Sequence, residues 1–258
     1  MKKAVISDML LNQEIFSMEQ IIRRQKINSP IRSIEKKILH TFYRPIVSWY
    51  TGRETTYKYQ NINARVLPGI FHPRFFYSTR FLLDFLEFVN FSKKKVLELG
   101  AGSGLISVFA AVEGAQVTAT DINPLALQNI ALNVKAHAAQ LEASGGSVLI
   151  QPSDVFNQLP LQKFDIILVN PPIYKGEPKN DKQRAWYSGE SFEFFQKLFK
   201  DCGEYMNELS DMFVILSDDC DLKSINAIAL ENKWRMQAVS SKNFLAENLY
   251  IFKIVSSK

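Results

Sequence analysis

Cysteine and histidine are nearly missing from this 258-residue chain, which has only Cys202, Cys220 and three histidines. Two cysteines so far apart match neither a disulfide framework nor a zinc site, so both are expected to be reduced and structural. Also missing is any apolar run approaching the ~18 to 20 residues of a membrane span, which removes the helical membrane classes. The opening stretch MKKAVISDML has two lysines but no apolar segment or cleavage site behind them, so the expected location is the cytoplasm. Beyond residue 60 neither sign of charge dominates: 20 Lys+Arg stand against 21 Asp+Glu, whereas residues 1 to 60 hold 11 against 5. A basic segment on a neutral body reads either as a contact surface for an acidic partner such as RNA or as a solvated helix face.

The hydrophobic pattern divides the chain. In residues 8 to 26, Leu10, Ile15, Met18, Ile21 and Ile22 fall at helical spacing. Ser29 and Pro30 offer a cap and a first helical position for a second helix, with Ile31, Ile34, Ile38 and Leu39 on one face. TTYKYQNINARVLPGIF then alternates, which predicts a hairpin leading into the main domain, with a boundary between about 60 and 75. From KKKVLELGAGSG onward, strands predicted at 95–99, 116–120, 147–151, 164–169, 212–217, 235–240 and 248–255 alternate with helices. Such alternation implies an α/β fold with a mostly parallel sheet, its ligands beyond the carboxyl ends of the strands. SSKNFLAE is too short for a crossover helix, so the last two strands are expected to be antiparallel.

Gly100, Gly102 and Gly104 follow the first of these strands and precede a helix, where glycine permits a tight turn and close approach of a ligand to the backbone. The spacing is G-x-G-x-G. A dinucleotide fingerprint needs G-x-G-x-x-G, so a nicotinamide-dependent oxidoreductase is only a remote alternative. Glu98 ends that strand and Asp121 ends the next, about twenty residues beyond the glycines. Asp121 suits the two hydroxyls of a ribose and equally suits the cap of the helix begun at Pro124. Asp154, beside Val155 and Phe156, follows a third strand end, where a carboxylate can accept from an adenine amine while apolar neighbours pack on the ring.

LELGAGSG, TDINPLAL, SDVF and FDIILVNPPIY together resemble class I S-adenosylmethionine-dependent methyltransferases across residues 95 to 175. The resemblance implies a Rossmann-like sheet and S-adenosyl-L-methionine as cofactor. It places Glu98, Gly100, Ala101, Gly102 and Gly104 around the methionine portion, Asp121 with Ile122 at the ribose, and Asp154 with Val155 at the adenine.

Asn170, Pro171 and Pro172 end the fourth strand of that order. Methyl transfer is an in-line displacement, so holding the acceptor's lone pair on the methyl axis carries much of the catalysis. An amide or aromatic amine delocalises that lone pair. Hydrogen bonds from its two N–H groups to the Asn170 side-chain oxygen and the Pro171 carbonyl would help free it. The prolines fix two φ angles and push Asn170 to extended geometry, which makes a stiff, preset loop. The motif resembles the (Asn/Asp)-Pro-Pro-aromatic signature of enzymes that methylate glutamine amides or base amines, except that Ile173 stands where the aromatic is expected and Tyr174 follows it. Asn170, Pro171, Pro172 and Tyr174 are the candidate catalytic residues, with Asn170 also beside the cofactor.

RPIVSWYTGRETTYKYQNINARVLPGIFHPR and YSGESFEFFQKLF extend the resemblance to the HemK/PrmC-like protein-glutamine methyltransferases, with PRFFYS and NPPI as departures. This implies a helical substrate-recognition domain over 1–60, which includes the start of the linker hairpin, and a cofactor-binding methyltransferase domain over 61–258. The implied activity is N-methylation of a glutamine in a translation-related protein of the release-factor or ribosomal-protein type, by a monomer. The alternative is methylation of an exocyclic base amine in ribosomal or transfer RNA, which the basic N-terminus favours. A non-catalytic binding subunit is disfavoured by the intact Asn170-Pro171-Pro172 and the three acids.

Overall fold

A computed structural model describes residues 17–23, 25, 51–75, 77–244 and 247–257. The second expected helix and most of the first lie outside the described residues. Of the first, residues 18–23 and 25 are helical. Ile21 is fully buried, and Met18 and Ile22 pack against the same apolar cluster.

The expected hairpin is present as β1 (Thr55–Tyr59) and β2 (Ile62–Val66), paired antiparallel. Its alternation buries Tyr57, Tyr59, Ile62, Ala64 and Val66 on one face. A helix absent from the sequence-based expectation follows, α1 (Tyr77–Leu86). Its Phe- and Tyr-rich start reads as extended by propensity. Burial of Phe81, Leu82, Leu83 and Leu86 outweighs that preference, at about 1.5 to 3 kcal/mol for each large apolar side chain.

The remaining elements are β3 (Lys95–Leu99), α2 (Leu105–Val112), β4 (Gln116–Asp121), α3 (Pro124–Ala136), α4 (Ala138–Ser144), β5 (Ser147–Pro152) and β6 (Phe164–Val169). They are followed by α5 (Asp181–Arg184), α6 (Glu193–Asp201), β7 (Met206–Ser217), α7 (Leu222–Glu231), β8 (Trp234–Asn243) and β9 (Asn248–Ser256). One seven-stranded sheet runs β5-β4-β3-β6-β7-β9-β8. Neighbours from β5 to β7 are parallel, and β9 inserts antiparallel between β7 and β8. The strand order reverses between β3 and β6, and a crevice opens above the carboxyl ends of strands at such a point.

Two expected boundaries change. β7 begins at Met206 rather than 212, because Met206 already pairs with Phe164; Asn207, Glu208 and Leu209 then bulge outward, exposed, before regular pairing resumes with Asp211 opposite Ile166. β8 runs to Asn243, through half of the expected connector. Ser241 and Lys242 pair with Tyr250 and Leu249, so cross-strand hydrogen bonds extend a polar stretch that lacks strand periodicity.

Two asparagines one turn apart on α3 fasten the hairpin to the sheet domain. Asn133 Oδ1 accepts from the Arg65 backbone N–H at 2.8 Å, and Asn129 Oδ1 accepts from Leu67 N–H at 2.8 Å. Their amide groups donate to the Arg65 carbonyl at 2.8 Å each, and Asn133 also donates to the Ser103 carbonyl at 2.8 Å. Both side chains are completely buried, so these bonds replace those that water would have made. The hairpin, α3 and the glycine loop are thereby joined in one network.

Candidate functional site

The strand ends converge on a cleft lined by the glycine loop, Glu98, Asp121, Asp154 and the Asn170-Pro171-Pro172 turn, roofed by Gly69, Ile70, Phe71 and Pro73. Gly100 and Gly102 adopt φ of +69° and +54°, and a Cβ on either would meet no atom within 4 Å, so any side chain there would stand in the cleft. Gly104 serves packing, since a Cβ there would lie 3.1 Å from the Ile130 backbone. Asp121 braces the loop. Its Oδ2 accepts from Gly102 N–H and its Oδ1 from Asn123 N–H, each at 2.9 Å. The cap of α3 is Asn123, whose Oδ1 accepts from Leu125 N–H at 3.0 Å. Asp121 is thus free of the capping duty and lines the cleft, beside the half-exposed Ile122. Ala101 is nearly buried, its N–H on the Thr120 carbonyl at 2.8 Å.

Glu98 is buried beneath the loop, where Ser107 Oγ donates to its carboxylate. Burial pushes its carboxyl up to about 8, with Asp121 adding a small rise. Asp121 is raised by the same cause, against the bonds from Asn123 and Gly102. Two carboxyls held above their usual range in one cleft favour a cationic ligand, which would restore their charge.

Asp154 stands at the end of β5 and lines the cleft, paired with Lys197 of α6. The lysine went unnoticed in the sequence because 43 positions separate the two. Val155 has φ of +55°, an uncommon conformation for a β-branched residue. Ser153 Oγ donates to its carbonyl at 2.9 Å and holds the turn. Val155 is thereby kept against the cleft.

Asn170, Pro171, Pro172 and Ile173 line the opposite end of the cleft, above β6. Asn170 Nδ2 donates to Thr79 Oγ1 of α1 at 3.3 Å. Tyr174 is not among the lining residues. Its backbone bridges to the 186–188 segment, with Tyr174 N–H on the Trp186 carbonyl and Ser188 N–H on the Tyr174 carbonyl, both at 2.8 Å. Its ring stacks on Trp186 at 6.4 Å and 19°. Burial, with Asp219 and Glu247 nearby, pushes its hydroxyl up to about 12, so it stays neutral. Phe194 lines the cleft, and so do Trp186 and Phe71, whose centroids lie 5.2 Å apart. None of the three was singled out in the sequence. The Trp-Tyr pair just ahead of Gly189 was the available signal, but its place opposite Phe71 is tertiary.

The lining is compatible with S-adenosylmethionine, a cation that carries ribose and adenine: a glycine cradle open to the cleft lies beside Glu98, Asp121 and Asp154 at three successive strand ends. Over residues 61–239 the sequence matches the family model of the methyltransferase small domain. The chain belongs to that family. Its sheet has the fold of the S-adenosylmethionine-dependent methyltransferases. Ribosomal RNA small subunit methyltransferase C of Haemophilus influenzae (strain PittEE) is 34% identical over 131 residues, 50% of this chain and 36% of that protein. The chain thus spans about a third of the length of that relative. Among solved structures, the Thermus thermophilus 16S rRNA N2 G1207 methyltransferase, in complex with AdoMet and guanosine, superposes with a TM-score of 0.54 at 18% identity, over 78% of this chain and 50% of that one. The E. cuniculi Mtq2–Trm112 complex, described as methylating the termination factor eRF1, gives 0.53 at 20% identity, over 73% of this chain and 99% of the matched chain. At these identities the structural likenesses establish the fold. Among the described residues of this methyltransferase-family chain no helix is long and apolar enough to cross a membrane. Cys202 and Cys220 are buried and unbridged, with thiols pushed by burial up to about 12.

Proposed function

We propose that this methyltransferase methylates the exocyclic amine of an RNA base, using Asn170 and the Pro171 carbonyl to hold the acceptor nitrogen. The observation that carries this reading is a single cleft lined both by Asn170 and by the adjoining rings of Trp186 and Phe71. An aromatic face binds a planar base by stacking, worth ~1 to 3 kcal/mol per base. The Haemophilus relative, a ribosomal RNA methyltransferase, supports RNA as the acceptor.

S-adenosylmethionine supplies an electrophilic methyl group when bound. The chain's residues act on the other reactant. The Asn170 side-chain oxygen and the Pro171 carbonyl accept its two N–H groups and turn the nitrogen lone pair toward the methyl, and the prolines keep both acceptors preset. Glu98 and Asp121 hold the cofactor's cationic and ribose ends, and Asp154 with Val155 receives its adenine. Residues 1–60 select the macromolecule. A glutamine amide is the second reading, because it presents the same planar nitrogen and the Mtq2 chain is matched over almost its entire length.

Incubation with methyl-labelled S-adenosylmethionine, ribosomal subunits, transfer RNA and release factors tests both. Label in nuclease-sensitive material supports the base reading. Label in protein transfers the conclusion to the amide, and no label in either refutes the proposal. Asn170→Ala should lower turnover by about 10² or more with cofactor affinity nearly unchanged, since positioning acts mainly in the transition state. Wild-type turnover in that variant would remove Asn170 from the reaction.

A further inference from the structure

The first turn of α1 stands beside Asn170. Ser78 and Thr79 line the cleft, and Thr79 Oγ1 lies 3.3 Å from Asn170 Nδ2. Two residues before Thr79, Tyr77 is 50% exposed. Its ring stacks on Phe244, the residue after β8, with centroids 4.4 Å apart and planes 15° from parallel. Fastening α1 to β8 uses the Phe244 side of Tyr77 and leaves the exposed half without a role in the fold. Cations surround the pair. Lys242 Nζ lies 5.6 Å from the Phe244 centroid and 5.9 Å from that of Phe81. Arg80 is one turn along α1 from Tyr77 and so on the same face; it is exposed and forms no ion pair among the described residues. Arg74 is exposed just ahead of the helix. Asp84 offsets one of these charges, shared between Lys242 at 3.4 Å and the Tyr59 hydroxyl at 3.2 Å.

We propose that Tyr77, Phe244, Arg80 and Lys242 form a docking surface for single-stranded RNA, on which a base neighbouring the methyl acceptor stacks on Tyr77 while Arg80 and Lys242 meet the phosphates. This rests on the RNA reading given above and says where the strand lies beside its target base. A base whose amine is methylated in a cleft has left its duplex, so the strand next to it is single. A near-parallel ring pair with one open side extends by one more planar ring, and every base offers such a face. The excess of cations over carboxylates around the pair complements a polyanion.

Fluorescence anisotropy of the full chain with a short labelled single-stranded RNA of random sequence, at several salt concentrations, tests the inference. Tyr77→Ala should weaken binding about tenfold, and Tyr77→Phe, which keeps the ring, should bind like the wild type. Arg80→Gln and Lys242→Gln should each flatten the slope of log affinity against log salt by about 0.7, the increment for one phosphate of a single strand. Calorimetric affinity for S-adenosylmethionine and melting temperature should stay near wild type in Arg80→Gln and Tyr77→Phe. If Tyr77→Ala melts far below the wild type, the salt slope of the exposed Arg80 decides. Unchanged affinity in a folded Tyr77→Ala, or unchanged slopes in both cation variants, overturns the proposal, as does a wild type without salt-sensitive binding to the RNA. Failure of the underlying reading looks different: label would enter protein in the methylation assay above. Label in RNA, beside variants that all bind like the wild type, rejects this inference alone.

Discussion

Replacing Glu98 by glutamine should make the protein more stable in base and worse at binding its cofactor. Glu98 is about 3% exposed, and burial raises its carboxyl to about 8 from an ordinary 4.5. The folded state therefore holds a proton that the unfolded chain releases above pH 4.5. That contribution to stability is complete below pH 4.5 and is lost as pH rises to about 8. By linkage the loss is about 3 kcal/mol at pH 7 and about 4 to 5 kcal/mol by pH 8.5. Glutamine is neutral at every pH and nearly the same shape, and its NH2 or its oxygen can still meet Ser107. Glu98→Gln and the wild type should melt together at pH 4.5 to 5. By pH 8.5 the variant should lead by several kcal/mol, and at ~2 to 4 °C per kcal/mol for a chain of this size that is a gap of roughly 8 to 20 °C. Asp121 titrates in both proteins, so the difference between them isolates Glu98. Binding should run the opposite way. A cationic ligand favours the ionised carboxylate, so calorimetry should show wild-type affinity for S-adenosylmethionine rising from pH 6 to 8.5 with proton release, and Glu98→Gln should show weaker, flatter affinity. Parallel melting curves across this pH range would refute the buried, protonated carboxyl.

Asp121→Ala should weaken cofactor binding by about 1 to 3 kcal/mol, because bonds to the ligand and the brace on Gly102 are lost together; unchanged calorimetric affinity would remove Asp121 from the ribose end. Trp186→Ala should cut kcat/KM for the acceptor about tenfold or more with cofactor affinity intact, whereas Tyr174→Phe should keep its stack on Trp186 and most of the rate; a larger loss in Tyr174→Phe would return the acceptor role to Tyr174. Asn133→Ala strands the Arg65 N–H and should cost about 2 to 3 kcal/mol, read as a lower denaturant midpoint; a midpoint like the wild type's would show that the hairpin is held by packing alone.

The α/β class was legible because a buried parallel strand, a glycine turn and an amphipathic helix each have their own residue pattern. The gathering of the strand-end residues around one cleft was legible for a related reason. Glu98, the glycines, Asp121 and Asp154 lie at strand ends, and a parallel sheet brings successive strand ends to one edge whatever its detailed packing. Asn170-Pro171-Pro172 could be read locally too, since the prolines restrict their own backbone. The N-terminal helices were equally plain as patterns, but their placement is not described beyond residues 17–23 and 25.

What the sequence determined by itself was therefore chemistry carried by neighbours in the chain: the turn, the strand-end acids, the stiffened amide. Tertiary structure alone decided which side chain completes each group. Lys197 reaches Asp154, Trp186 meets Phe71, and Thr79 meets Asn170 only because helices and loops remote in sequence pack over the strand ends. It also decided that β9 enters between β7 and β8, and that Tyr174 lies behind Trp186 instead of in the cleft. The physical reason is common to all of these. Periodicity and backbone restriction act over a few residues, whereas the partner of a side chain at a strand end is set by how whole elements bury their apolar faces, which no local pattern encodes.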